Sequence, residues 1–528
     1  MKNTRITLIA LTGVIAGSIL YACQSKASEP VKKPNILFCL ADDATWKHMS
    51  AYGTDWIATP AFDKVADQGL LFSNTYTPNA KCGPSRSIIL TGRNTWQLEE
   101  AANHLAYFPT KFKTYHEALA EQGYHVGYTG KGWAPGTALN ADGSKRELLV
   151  KAYNSIKTKA PTTGISNNDY LANFKRFLEE KTSDAPFCFW YGGHEPHRDY
   201  EYGTGVRLGN KTLAQLDSVF PYWPQSEVVK NDVLDYAYEL EYFDKQLGGM
   251  LALLEERGEL EHTIIVVTSD NGMPFPRVKG QSYEHSNHLP LAIMWKNGIK
   301  HPGRTITDYV SFADFAATFL DVTGYQAEDL GMHPVQGKSL APIFNSDKED
   351  VIAPEQDYVL LGQERHDVGR PNDVGYPIRG IVKDGFLYLL NYENDRWPAG
   401  NPETGYTNTD GSPTKTEILE LNRSGENHSY WDLNFGKHPK EELFQLSTDE
   451  NCLHNLAEHN DFQTIKGDLK QLLESELKAQ KDPRMFGNGA VFDNYPPDRN
   501  AGFYERYMNG ETVKAGWINP SDFEKRQD

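Results

Sequence analysis

The sequence predicts an α/β fold: a large mixed, mostly parallel sheet sandwiched by helices, then a smaller C-terminal α+β subdomain with an antiparallel sheet. Three observations predict it. The first is a set of continuous apolar runs, NILFCLADD at 35–43, PFCFWYGGHEPHR at 186–198 and TIIVVTSDNG at 263–272, each ending in polar groups. Unbroken apolar runs suit strands buried on both faces of a parallel sheet. The second is what separates them. AFDKVADQG, TYHEALAEQG and YAYELEYFDKQLGGMLALLEERG have helical periodicity with glycine near the stop. The third is a change after about Tyr376, where IRGIVKDGFLYLLNY reads as short alternating strands ahead of a final helix.

The chain has 528 residues, enough for one large domain and a smaller one. Its formal net charge of -18 excludes a sequence-independent nucleic-acid binder, so no nucleic acid is expected as a partner. Any anionic ligand must be met by a local cluster of Arg, Lys and His. At the N-terminus, Lys2 and Arg5 precede the apolar run 6–20, which is too short to span a bilayer and fits a secretory signal. It ends in LYAC, which resembles a bacterial lipoprotein box with Cys23 as the lipidated residue. The expected organisation is therefore a signal peptide over 1–22, a polar tether over 23–33, the main α/β domain over 34–376 and the C-terminal subdomain over 377–528. An exported chain follows, in the periplasm or at the cell surface. A lipid anchor on the bacterial outer membrane is its only membrane contact. Of the five cysteines, Cys39 and Cys188 lie inside strand-like runs and read as buried thiols, with no disulfide framework evident.

In open α/β sheets, ligands bind beyond the carboxyl ends of the strands, so the polar groups that end the three runs converge on one site. Asp42, Asp43, Asp270 and Asn271 offer only oxygen ligands, which suits calcium or, as the alternative, magnesium. A divalent cation also offsets the repulsion among three neighbouring carboxylates. Between the first two runs lies KCGPSRSIILTGR, residues 81–93. Taken alone, Cys82 is either a buried thiol at a turn or the precursor of a catalytic group.

The segment C-G-P-S-R followed by T-G-R resembles the signature of the type I, formylglycine-dependent sulfatases. The resemblance extends from PNILFCLADD through TSDNGMPFP to EELFQLSTDENCLHNLAEH, and HEPHR with SDNGMPFP is most similar to the sulfamidase (heparan N-sulfatase) branch. It implies an alkaline-phosphatase-like fold and a hydrolase that removes O- or N-linked sulfate from a sulfated polysaccharide or oligosaccharide, acting on chain ends. In this family a maturation enzyme oxidises the cysteine, here Cys82, to formylglycine, whose hydrated aldehyde is the nucleophile. Asp42, Asp43, Asp270 and Asn271, with the oxygen on Cys82, match the metal ligands. Arg86 matches the arginine that holds the diol or a sulfate oxygen. Lys131 and Lys279 match sulfate-binding lysines, and His197 matches the histidine proposed to protonate the leaving group. A phosphonate or phosphodiester hydrolase of the same superfamily is the second reading. A sulfated-glycan-binding protein without turnover is the third reading.

Two positions depart from the family pattern. Trp133 stands where a histidine follows the lysine by two residues, and indole cannot act as a base, so His194 is expected to substitute. His288 stands where relatives carry an arginine and is a candidate substrate contact. Downstream, GQERHDVGRPNDVGYPIRG concentrates Arg365, His366, Asp367, Arg370 and Arg379, a candidate basic rim for sugar hydroxyls and neighbouring sulfates. Tyr392 and Trp397 are candidate sugar-stacking groups.

Overall fold

Seven strands form the large sheet of the computed structural model, which describes residues 32–182, 184–348, 351–355 and 357–525. They are β1 (Asn35–Ala41), β2 (Leu70–Phe72), β3 (His125–Gly130), β4 (Phe187–Gly192), β5 (Thr263–Ser269), β6 (Leu291–Met294) and β7 (Arg304–Ile306). The spatial order is β7-β2-β6-β5-β1-β4-β3. The four strands β5, β1, β4 and β3 run parallel, β7 is parallel to β2, and β6 alone is antiparallel to its neighbours β2 and β5. The signal peptide, Cys23 and nearly all of the tether lie outside the described residues.

The continuous apolar runs have a direct structural cause. In β1, Leu37, Cys39 and Ala41 face one core, whereas Ile36, Phe38 and Leu40 face the other. Alternate side chains point to opposite faces, and here both faces are dry, so every position must be apolar. The first core is closed by α1 (Pro60–Asp67), α4 (Tyr170–Glu180) and the long α5 (Glu227–Glu256). The second is closed by α2 (Cys82–Thr91), α3 (Tyr115–Glu121) and α6 (Asp314–Val322). A carboxylate links two of these elements: Asp244 on α5 accepts the N–H groups of Ala61 and Phe62 at 2.9 and 2.8 Å, capping α1. Cys39 and Cys188 are buried free thiols.

The second sheet is antiparallel throughout, in the order β8 (Tyr358–Gln363), β9 (Ile378–Lys383), β10 (Phe386–Asn391), β11 (Glu441–Gln445). It begins at Tyr358, upstream of the boundary at 376, because the apolar run of β8 pairs with β9 across the intervening polar loop. The helix α7 (Gln463–Ala479) lays Leu469, Leu473 and Leu477 on one face of it. The other face packs Val359, Leu361 and Leu389 with Tyr76 and Tyr283 of the main domain. Residues Pro34–Asp528 accordingly cluster as one unit.

Arg379 ties this sheet together. Its guanidinium bonds Asp482 at 2.6 Å and Glu364 at 2.7 Å, all three side chains being essentially inaccessible. Removing one member strands buried charge, so Arg379→Ala is expected to cost about 3–5 kcal/mol. The urea midpoint measures it, and a midpoint equal to that of the unsubstituted protein contradicts this role.

Candidate active site

The four central parallel strands end level with one another. Ala41 pairs with Ser269, Leu40 with Gly192, and Gly130 with Gly192. The residues that follow each strand therefore meet at one edge: Asp42 and Asp43 after β1, Asp270 and Asn271 after β5, His194 and His197 after β4, and Lys131 after β3. The helix α2 brings Cys82 to the same place. Ile88, Ile89 and Leu90 anchor it in the second core, and its first turn carries no side-chain cap. Gly92 ends it in the left-handed region (φ 66°), with its N–H on the Ile88 carbonyl.

The Cys82 thiol is 1% exposed and sits 3.5 Å from Asp42 Oδ1 and 3.9 Å from Asp43 Oδ1. Burial first, then Asp270 and Asp42, push its pKa well above the usual thiol value against the pull of Lys131 and Lys279. It is a protonated thiol, poorly suited to act as a thiolate nucleophile. Arg86 donates to Asp270 Oδ2 at 2.8 Å and to Asp42 Oδ1 at 3.3 Å, and its other nitrogen spans the carbonyls of Lys131 and Gly132. Lys131 Nζ lies 2.8 and 2.6 Å from the two oxygens of Asp42. Burial alone would raise Asp42, but Lys131 and Arg86 outweigh it and hold the carboxyl well below the usual range.

Lys279, reached by the loop after β5, is 2% exposed and donates to Asp43 and Asp410 at 2.7 Å each. It also donates to His197 Nε2 at 2.9 Å. Nδ1 of His197 donates to the Arg198 carbonyl at 2.6 Å, which leaves Nε2 to accept. Arg198 itself is clamped by both oxygens of Asp232, at 2.7 and 2.8 Å, so α5 fixes the loop that carries His197.

Ligand atoms of Asp42, Asp43, Cys82 and Asp270 all lie within 4.8 Å of one another. Asn271 donates its amide to Asp43 at 2.6 Å, while its buried Oδ1 has no partner. An orphaned oxygen beside three buried carboxylates fits a hard divalent cation held by Asp42, Asp43, Asp270, Asn271 and an oxygen on residue 82. Burial, with Asp42 and Asp43 adding repulsion against Arg86, raises Asp270 to about 7. A group raised in this way binds its proton below that pH and must release it to bind the ion. Calcium affinity is therefore expected to climb from pH 6 to pH 8 and then level. Calorimetry in buffers of different ionisation enthalpy counts the released proton, and affinity flat over that range contradicts it.

A cavity of about 610 Å³ opens above this cluster. Its lining includes Asp42, Cys82, Lys131, His194, His197 and Lys279, six of the residues that the sequence nominates. Sequence reasoning missed Lys81, His104, Asp410, Arg499 and Trp517, which also line it. Lys81 adjoins the signature cysteine and Asp367 stood within the nominated basic stretch; the others gave no local signal.

Several expectations are corrected. Arg365, His366 and Arg370 form no rim, being 1%, 0% and 1% exposed. Arg365 donates to the Tyr495 carbonyl and Arg370 to those of Trp397 and Pro398, while His366 bonds Asn79. Buried carbonyls need donors, and these side chains supply them. Of that stretch only Asp367 reaches the cavity. His288 is stacked between Trp46 and Tyr76 and bonds Glu284 at 2.6 Å, so it is a core residue. Tyr392 lies under Arg484, and Trp397 under Lys437; neither lines the cavity. Trp133 faces the flank of α2, donating to Ser87 Oγ at 2.7 Å and to the Gly83 carbonyl at 3.2 Å. It braces the helix that presents Cys82.

The mostly parallel sheet, with carboxylates, two lysines and a helix-borne cysteine at its carboxyl edge, has the alkaline-phosphatase-like fold of similar solved structures. A sequence profile of the family described as Sulfatase matches residues 34–325, and the chain belongs to the sulfatase family. It is 26% identical over 481 residues to N-sulphoglucosamine sulphohydrolase of Homo sapiens, covering 85% of this chain and 91% of that protein. It is 25% identical over 507 residues to an ulvan-active sulfatase of Formosa agariphila, covering 85% and 76%. Among solved structures, it is similar to a protein captured with its substrate D-glucosamine-2-N,6-O-disulfate. That match has a TM-score of 0.60 and 21% identity, covering 85% of this chain and 99% of the other.

Proposed function

We propose that the chain hydrolyses sulfate from a sulfated sugar at the end of a glycan, through a formylglycine made from Cys82 by a maturation enzyme. The observation that carries this reading is the meeting of Cys82, at the open start of α2, with Lys131, Lys279 and the Asp42–Asp43–Asp270 cluster at one cavity. A volume of about 610 Å³ suits one or two sugar rings. The relatives' own substrates, N-sulfoglucosamine and ulvan, support a sulfated glycan and make N-sulfated glucosamine the first sugar to try.

Once hydrated, formylglycine supplies two hydroxyls on one carbon, one to attack sulfur and one to expel sulfate as the aldehyde re-forms. A divalent cation held by Asp42, Asp43, Asp270 and Asn271, calcium in this reading, would lower the pKa of the attacking hydroxyl and offset sulfate charge. Lys131 and Lys279 meet the sulfate oxygens, and their positive charge is worth most as charge develops there. Arg86 holds the nucleophile side through charge-assisted hydrogen bonds. His197 protonates the departing oxygen or nitrogen once Nε2, which accepts from Lys279, has taken up that proton, its ring orientation fixed at Nδ1 by the Arg198 carbonyl.

Export follows from the basic and apolar N-terminus ending at Cys23, and a lipid anchor at the cell surface or in the periplasm suits glycan foraging. Among the described residues, no helix is long and apolar enough to cross a membrane. The test uses protein made with its maturation enzyme, with the Cys82 peptide weighed to confirm conversion. Sulfate release with calcium is then measured from disaccharides sulfated at nitrogen or at single oxygens. Release from one of them establishes the reaction and identifies the bond. Silence with confirmed formylglycine overturns it, and directs attention to phosphorus substrates or to binding without turnover.

A further inference from the structure

Three cavity-lining residues, Lys81, His104 and Asp367, take no part in that chemistry. Asp367 is 1% exposed and divides its oxygens, one 2.7 Å from Lys81 Nζ and the other 3.0 Å from His104 Nδ1. A carboxylate paired with lysine is ionised and only accepts, so Nδ1 of His104 carries a proton. Burial, and then Lys81 and Lys279, lower the pKa of His104 against Asp367 and keep the ring neutral. Its Nε2 is therefore a bare lone pair. That atom is buried and has no hydrogen-bond partner.

The ring lies beside the nucleophile's helix. A Cβ on Gly83, the residue after Cys82, would stand 3.6 Å from His104 Cδ2 and 3.2 Å from the Pro135 carbonyl. The imidazole therefore lies at van der Waals distance from this turn of the helix, and the tighter neighbour is the Pro135 carbonyl. A buried acceptor left unpaired costs about 1–3 kcal/mol, so a donor is wanted there. Of the lysines at the cavity base, Lys81 is held by Asp367, while Lys131, on Asp42, and Lys279, on Asp43 and Asp410, are the ones that meet the sulfate. A sulfate group has only acceptor oxygens. A hydroxyl or N–H of a sugar in the cavity can supply that donor.

We propose that His104, oriented by Asp367, accepts a hydrogen bond from a ring hydroxyl or N–H of the sugar beside its sulfate, and so selects which sugar is bound. This rests on the sulfated-sugar reading above. The test measures binding, with calorimetry on calcium-loaded Cys82→Ala protein, which cannot turn over. The probes are N-sulfoglucosamine, glucosamine 6-sulfate and their analogues lacking one ring hydroxyl each or carrying a methylated nitrogen. One analogue is expected to bind about 10-fold more weakly than its parent, the size of one hydrogen bond to a buried acceptor. In the additional presence of His104→Ala, that difference is expected to vanish. If His104→Ala weakens every sugar equally and the difference survives, the residue is only structural and the proposal is overturned.

The two readings fail separately. Sulfate release from the matured enzyme, with an analogue penalty independent of His104, sinks only the present inference; no binding and no release sinks both. Should His104→Ala not fold, nitrogen NMR of the histidine rings in the Cys82→Ala protein decides. Nε2 is expected to show the shift of an unprotonated nitrogen and to move on addition of the parent sugar. A protonated Nε2 overturns the assignment.

Discussion

Cys82→Ala is expected to reduce sulfate release by about 10⁴-fold or more, the scale on which removing a nucleophile acts in other hydrolases. The fold should persist. The sulfur makes only long contacts, at 3.5 and 3.9 Å, and α2 is held by Ile88, Ile89 and Leu90 and by the Arg86 network, none of which the substitution touches. The stability change is therefore expected within about 1 kcal/mol, as for substitutions that strand no buried polar group. Sulfate release and thermal unfolding measured on one preparation separate chemistry from folding. Wild-type rates in Cys82→Ala protein would falsify the mechanism. Loss of rate together with collapse of the fold would show instead that the thiol is a structural element.

Asp270→Asn is the second large effect. Asp270 is fully buried, accepts the Asp43 N–H at 3.0 Å through one oxygen and Arg86 at 2.8 Å through the other. Asparagine keeps the shape but removes a charge from the ion and from Arg86. Calcium affinity is expected to fall by about 100-fold, since even groups that merely orient metal ligands are worth 10- to 100-fold. Activity falls with it. The readout that needs no substrate is stabilisation by the ion: at 100 times its dissociation constant, a ligand adds about 2.7 kcal/mol to the folded state. Unsubstituted protein should therefore melt higher as calcium is added, whereas Asp270→Asn should stay flat over the same range. Equal calcium responses in both proteins would remove Asp270 from the ligand set.

Much of this architecture was legible in the sequence, for identifiable reasons. Strands buried on both faces must be apolar at every position, so NILFCLA, FCFWYG and TIIVVTS declare themselves. Parallel strands place their carboxyl ends together, so the residues just beyond those runs group from the sequence alone. Cys82, Arg86, Lys131, His197 and Lys279 were found through the resemblance of their segments to the sulfatase family, and the structure brings them to one edge. The basic stretch misled because charge counting ignores direction. Arg365, His366 and Arg370 turn inward to satisfy buried polar groups, and the acidic Asp367 among them is what faces the cavity.

The sequence by itself determined the sheet and the carboxylates that gather at its edge, because each depends on local pattern: burial sets composition, and strand ends set position. Cys82 was singled out by its resemblance to the family signature. Only the tertiary structure decided how the cations are held. Asp367 meets Lys81 and His104, and Asp410 meets Lys279, across separations in sequence that no periodicity spans. Those partners are chosen by the packing of the C-terminal part against the main domain. Their pairing follows from the cost of leaving a buried charge alone, which is a property of the folded interior and of no short segment.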